Sequence, residues 1–229
     1  MKANALLGGW LDRLRDPSLT ALLTMQVLTI FVAAPFRSLG MRSPSILGTS
    51  IVTGFIIALI LVVSSNKTAV VLVLISALLG LSGSFLRIAR PSLLTNLLGH
   101  CATILALAAL SSVIAQAVFR PGRVTHHRIQ GAVVLYLNVA MMFTAAYRLL
   151  TDLSPNAFTN LPATHDDVTA WDTMLYFSIT TLTSTGFGDI LPVHPFARSL
   201  CNLEAIIGQV FPATLLARIV TLELEGRRR

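Results

Sequence analysis

The sequence predicts an all-α membrane protein with six crossing helices and a seventh, shorter helix that enters the bilayer without crossing it. Three observations predict this. Of the 229 residues, 54% are hydrophobic and only 12% are charged, with a mean hydropathy of +0.76; a soluble domain carries charge on about a quarter of its residues. No acidic residue lies between Asp16 and Asp152, and the apolar runs in that interval approach the roughly 20 residues needed to cross a hydrocarbon core about 30 Å thick. Finally, Thr169 to Leu182 is too short and too polar to cross, yet it sets Trp171, Leu175, Tyr176 and Ile179 at helical spacing.

In chain order, residues 1–17 form a polar, amphipathic segment expected on the cytoplasmic side. No small-residue cleavage site follows the first apolar run, so that run is expected to stay as an anchor. The first span covers 18–38, with Asp16-Pro17-Ser18 as its helix start. A basic turn with Arg37, Arg42 and Pro44 leads to spans over 45–64 and 68–86, joined by the tight connection Ser64 to Lys67. The fourth span, 92–118, follows Arg87 and Arg90. Residues 18–119 are thus expected to form a four-helix peripheral domain, and the basic loop 120–128, with His126 and His127, a cytoplasmic linker. That linker is either a lever between two units or an anchor on anionic headgroups. A second unit covers 129–222: a fifth span over 129–150, a polar turret to Ala170, the half-helix, a glycine-bearing loop and a last span over 194–222. Residues 223–229 make a basic cytoplasmic tail.

The formal charge of +7 does not point to nucleic acid, because the basic residues stand singly at the ends of apolar runs, as membrane topology requires. With both termini inside, 11 of the 17 basic residues fall on the cytoplasmic side, which fits a multi-pass protein of the cell membrane in contact with lipid. Cys101 and Cys201 lie in separate spans and suggest neither a zinc site nor a redox pair. No nucleophile–base pair, metal-ligand cluster or cofactor motif points to an enzyme. His100, one turn from Asn96 and without an acidic neighbour in sequence, is either a proton sensor or metal ligand or, the reading favoured, an interhelical hydrogen-bonding residue. A voltage sensor needs basic residues at every third position through the bilayer. Here the register of Arg87 and Arg90 continues into Leu93, Asn96, Gly99 and Ala102, so steep voltage gating is not expected.

The loop Thr183-Ser184-Thr185-Gly186-Phe187-Gly188-Asp189 sits behind the half-helix, whose negative dipole end aims at the membrane centre and favours a cation. Irregular backbone at that depth must line a cavity or be buried in protein. Gly186 and Gly188 supply left-handed conformations that let successive carbonyls point one way. The loop resembles the selectivity filter of the potassium channel family, with Ser184 to Gly188 in place of Thr-Val-Gly-Tyr-Gly. Asp189 to Val193, Arg198 and Gly208 extend the likeness over about 171–219. The resemblance implies six spans, a re-entrant pore helix and a homotetramer, with potassium held by carbonyls of Ser184, Thr185, Gly186 and Phe187 and no resident cofactor. It implies passive potassium conduction; a weakly selective sodium and potassium channel is the alternative within the class, and a secondary transporter or non-conducting subunit the alternative outside it.

Other residues take expected roles in that frame. Thr180 and Glu204 are candidate partners for the Thr185 hydroxyl, and Tyr176 for Asp189, as filter supports. Glu204, the one acid inside a span, either braces the filter from behind, as the carboxylate or the protonated acid, or attracts cations to a cavity. Gly208 and Pro212 form either a gating hinge or a static kink, with Phe211, Leu215 and Ile219 as the apolar constriction below.

Overall fold

The computed structural model describes residues 20, 22–38, 71, 75, 78, 92–119, 126–162 and 167–227. The expected spans over 45–64 and 68–86, the N-terminal segment and the first part of the linker lie outside the described residues. Five helices organise the rest: α1 (Leu22–Phe36), α2 (Leu93–Val118), α3 (His126–Leu153), α4 (Asp167–Leu182) and α5 (Pro195–Arg227). Among the described residues three stretches are long and apolar enough to cross a membrane: Leu93–Gln116, Arg128–Leu153 and Pro195–Arg218. The protein is therefore an all-α multi-pass membrane protein in its described part.

The helix boundaries follow from local chemistry. The α2 helix starts at Ser92, whose hydroxyl accepts from the Thr95 N–H while the Thr95 hydroxyl accepts from the Ser92 N–H. This reciprocal cap satisfies donors that an open helix end leaves free. In α1, Pro35 has no N–H to give to the carbonyl four residues back; the wide π turn Leu28–Ala33 lies just before it, closed by a bond from the Ala34 N–H to the Thr29 carbonyl. The linker is shorter than predicted, because His126 already begins α3, and α3 runs three residues into the expected turret. The remainder of the turret is not wholly irregular. Phe158–Thr159 pairs antiparallel with Leu191–Pro192, Phe158 facing Pro192 and Thr159 facing Leu191, and the Ala157 carbonyl accepts the Val193 N–H at 2.9 Å. This ribbon ties the segment before α4 to the segment after the loop.

Helix directions can be read from the side-chain contacts. Between α2 and α3, His100 meets Asp152 and Ser111 meets Asn138, so the two helices are antiparallel. Between α1 and α3, Thr20 meets Gln130 and Gln26 meets Asn138, so those two are parallel. Two apolar clusters hold the four together: Leu22, Ala109, Leu110, Ile114, Val118 and Leu135 in one, and Ile30, Leu137 and Leu175 in the other.

The polar contact among α1, α2 and α3 is buried. Gln26 Nε2 donates to Asn138 Oδ1 at 2.6 Å, and Asn138 Nδ2 donates to Ser111 Oγ at 3.3 Å. Inside a bilayer such bonds select partners where the hydrophobic effect does not, each contributing about 0.6–1.7 kcal/mol. Gln26→Leu is therefore expected to lower thermal stability in detergent by about that amount, and Asn138→Leu by more, since it loses both partners. Melting curves of the two variants, with the ordering reversed if Asn138 is not the centre of the contact, provide the check.

Candidate functional site

The site is built at the C-terminal end of α4. Its last carbonyls have no helical partner of their own, and the following loop uses them. The Thr185 N–H donates to the Thr180 carbonyl at 2.8 Å, the Gly186 N–H reaches the same oxygen at 3.2 Å, and the Ser184 N–H donates to the Thr181 carbonyl. Thr180 thus supports the loop through its backbone; its hydroxyl donates to the Phe177 carbonyl. The Thr185 hydroxyl, for which Thr180 and Glu204 are the sequence candidates, meets Thr183 Oγ1 instead, at 2.8 Å. The reason is geometric: with its backbone bonded to Thr180, Thr185 sits over the turn that carries Thr183.

Along the loop the backbone alternates. Ser184, Gly186 and Gly188 have φ of 56°, 54° and 78°, while Thr185 and Phe187 between them stay on the negative side. An alternation of this kind permits successive carbonyls to face one side. The glycines adopt it without steric cost. Ser184 is a non-glycine residue in the same region, and its hydroxyl accepts from Gln209 Nε2 at 2.8 Å. Sequence reasoning places Gln209 with Gly208 and Pro212 at a break in the last span and misses its contact with the loop; its polar amide in an apolar helix was the available signal. Residues 183–189 are exposed on the single chain, Phe187 to 69%.

At the outer end, the rings of Tyr176 and Phe187 stack with centroids 6.2 Å apart and planes within 1°. The Tyr176 hydroxyl hydrogen-bonds Asp189, and that bond, then desolvation and then the charge of the carboxylate, hold the phenol proton above the usual tyrosine range. At neutral pH Tyr176 therefore remains a donor to Asp189. Arg198 Nε donates to the Pro192 carbonyl at 3.1 Å and fixes the approach to α5.

Behind α4 lies Glu204, fully buried. It does not reach the loop. Tyr147 of α3 donates to its Oε2 at 2.5 Å, and its Oε1 lies 2.5 Å from Ser178 Oγ of α4. Ser178 Oγ is also 2.8 Å from the Ala140 carbonyl. A hydroxyl has one proton, and the Ala140 carbonyl only accepts. A neutral Glu204 carboxyl that donates to Ser178 lets Ser178 donate to Ala140, and every polar atom is then satisfied. Rings of Phe158 and Phe177 pack edge-on against Tyr147, at 5.6 and 5.2 Å, and keep the group dry.

Gly208, expected at a hinge or kink, is a position of close helix contact. A Cβ there would lie 1.8 Å from the Leu182 carbonyl oxygen, so the missing side chain is what lets α5 touch the end of α4. The Tyr136 hydroxyl donates to the same Leu182 oxygen at 3.2 Å. The α5 helix is continuous through Pro212, whose ring nitrogen leaves the Gly208 carbonyl without its helical donor. Phe211, expected with Leu215 at a constriction, packs against Tyr136, centroids 5.6 Å apart, and Phe211 and Leu215 both lie against the cluster of Leu22, Ile114 and Leu135. The side chain of Ile219 lies outside the described residues.

Comparison with known proteins bears on the same region. Residues 132–224 match a protein family model described as an ion channel, an ion-channel family rather than an enzyme family. Protein LctB of Bacillus caldotenax is 32% identical over 87 residues, 37% of this chain and 64% of that protein, so the chain spans somewhat under two thirds of the relative it matches. No solved structure matches.

Two outcomes follow from the packing. Gly208→Ala is expected to push α5 off α4 and to cost about 1–3 kcal/mol as an overpacking change, measured as a lower melting temperature in detergent. Glu204→Ala strands the buried Tyr147 hydroxyl and leaves Ser178 with the Ala140 carbonyl alone, at about 1–3 kcal/mol. Glu204→Gln, whose amide donates to Ser178 and accepts from Tyr147, is expected to melt close to the parent; a loss as large as that of the alanine variant would show that an ionised carboxylate is required.

Proposed function

We propose that this protein is a passive, potassium-selective channel whose pore is a ring of four copies. The observation that carries the reading is the alternating backbone of Ser184 to Gly188 at the C-terminal dipole end of α4, a conformation that permits consecutive carbonyls to face one side. Carbonyl oxygens so arranged replace the water shell of a permeating cation. One chain supplies one strand of such oxygens, and a closed ring needs several copies about an axis. The exposure of residues 183–189, and of Phe196, Leu203, Ile206 and Val210 on α5, is consistent with surfaces that neighbouring copies cover. The similarity of residues 132–224 to ion channels supports the same reading.

The six-span plan draws support from the helix directions. The α1 and α2 helices run opposite ways, which requires an even number of crossings between them, and the two apolar runs over 45–64 and 68–86 meet that requirement. The peripheral helices carry no ladder of basic residues, so conduction is not steeply voltage-dependent. Both termini then lie in the cytoplasm.

A second reading, weak selectivity between potassium and sodium, is favoured by Phe187: its ring stacks on Tyr176 but has no hydroxyl to bond outward. Reconstituted protein under a potassium gradient, with sodium opposing, separates the two. The reversal potential is expected to follow the potassium gradient; a value near zero would overturn selectivity in favour of the second reading, and absence of any current would overturn the channel itself.

A further inference from the structure

Outside the pore site, the structure brings together four ionisable side chains that are far apart in sequence. His100 Nε2 of α2 lies 3.2 Å from Asp152 Oδ2 at the end of α3, with side chains 11% and 16% exposed. The two atoms are buried, in contact, and not aligned as a hydrogen bond. Arg148, one turn before Asp152 on α3, is 3.0 Å from Asp167 at the start of α4, and its Nε is buried without a hydrogen-bond partner. In sequence, His100 had no acidic neighbour; folding supplies one.

Among the described residues the cluster holds two carboxylates, Asp152 and Asp167, and one guanidinium, Arg148, which leaves one negative charge in excess when the imidazole is neutral. A proton on His100 cancels that excess, at the cost of burying an imidazolium. We propose that His100 is a proton-binding site whose occupancy is transmitted to the pore helix α4. The groups facing it among the described residues are Asp152 and Arg148 from α3 and, beyond Arg148, Asp167 from α4. Asp167 is 45% exposed, so the cluster opens toward solvent at the end of α3 that carries the ribbon and the loop mouth.

The path of transmission is short. With His100 neutral, the Asp152 carboxylate, one helical turn from Arg148, draws on the guanidinium that holds Asp167. With His100 charged, Asp152 is engaged by the imidazolium and Arg148 is left to Asp167, which strengthens the anchor at the first turn of α4. Acid on the mouth side therefore tightens the link from α2 through α3 to the pore helix, and alkali loosens it. The binding half of this proposal stands on geometry alone; the transmission half rests on the proposed conduction.

The full chain in lipid nanodiscs, labelled with ¹⁵N-histidine, tests the site. The His100 signal, assigned by its loss in His100→Gln, is expected to titrate in one step, and Asp152→Asn to move the midpoint down by about 1–3 pH units, the usual effect of removing an adjacent opposite charge. A midpoint unmoved by Asp152→Asn overturns the site. A second measurement, current in planar bilayers against pH on the mouth side, tests transmission: the parent is expected to respond over the range in which His100 titrates, and His100→Gln to be flat there. A parent current insensitive to pH while His100 titrates overturns transmission and leaves the site standing. No current at any pH is instead a failure of the channel reading, and the magnetic resonance result then decides the site by itself.

Discussion

The Leu182 carbonyl is the point on which the rest of the structure depends. It ends α4, and the oxygen occupies the space that any side chain at position 208 would need. The Tyr136 hydroxyl comes to the same atom from α3. Three helices therefore meet at one backbone group, and the position of α4 is fixed along its axis as well as sideways. The consequence reaches the loop directly, because the Thr180 carbonyl, two residues earlier in the same turn, accepts both the Thr185 and the Gly186 N–H. A shift of α4 moves the acceptor that sets the left-handed alternation.

Two braces act on α4 from other sides, and they differ in chemistry. Behind it, Tyr147, Ser178 and Glu204 form a dry hydrogen-bonded group among aromatic rings, where the low dielectric strengthens each bond and makes an unpaired member costly. At the outer end, Tyr176 stacks on Phe187 and bonds Asp189 in a more exposed setting. The first is suited to rigidity. The second, nearer water, joins helix and loop without locking either, and the ribbon of Phe158–Thr159 with Leu191–Pro192 closes the same end through backbone pairing.

Much of the architecture was legible because it depends on composition and period. The acid-free apolar runs mark the membrane helices, the helical spacing within a polar stretch marks α4, and paired glycines mark the loop. What the sequence concealed were contacts between distant residues. Glu204 reads as a filter brace from its rarity in a span, but its partners are Tyr147 and Ser178, 57 and 26 residues away. Gly208 reads as a hinge or a kink beside Pro212, and its contact with the Leu182 carbonyl is not visible in the sequence. Phe211 and Leu215 read as a constriction because spacing alone does not say which side of α5 faces its own chain. His100 reads as solitary only because Asp152 lies on another helix.

The α3 helix is where these contacts converge. In a bilayer the lipid is as apolar as the side chains, so helices are held by close packing and by the few polar groups that find partners. On α3, Asn138 faces α1 and α2, Tyr136 and Tyr147 face α4 and α5, and Arg148 and Asp152 face α4 and α2. The α2 and α4 helices thus share α3 as their polar partner. A rearrangement of α2 against α3 alters groups one helical turn from those that hold α4, and α4 carries the Thr180 and Leu182 carbonyls. The peripheral helices are in this way mechanically connected to the loop although none of them carries a ladder of charges, and a local change in charge at the α2–α3 contact is sufficient to be felt there.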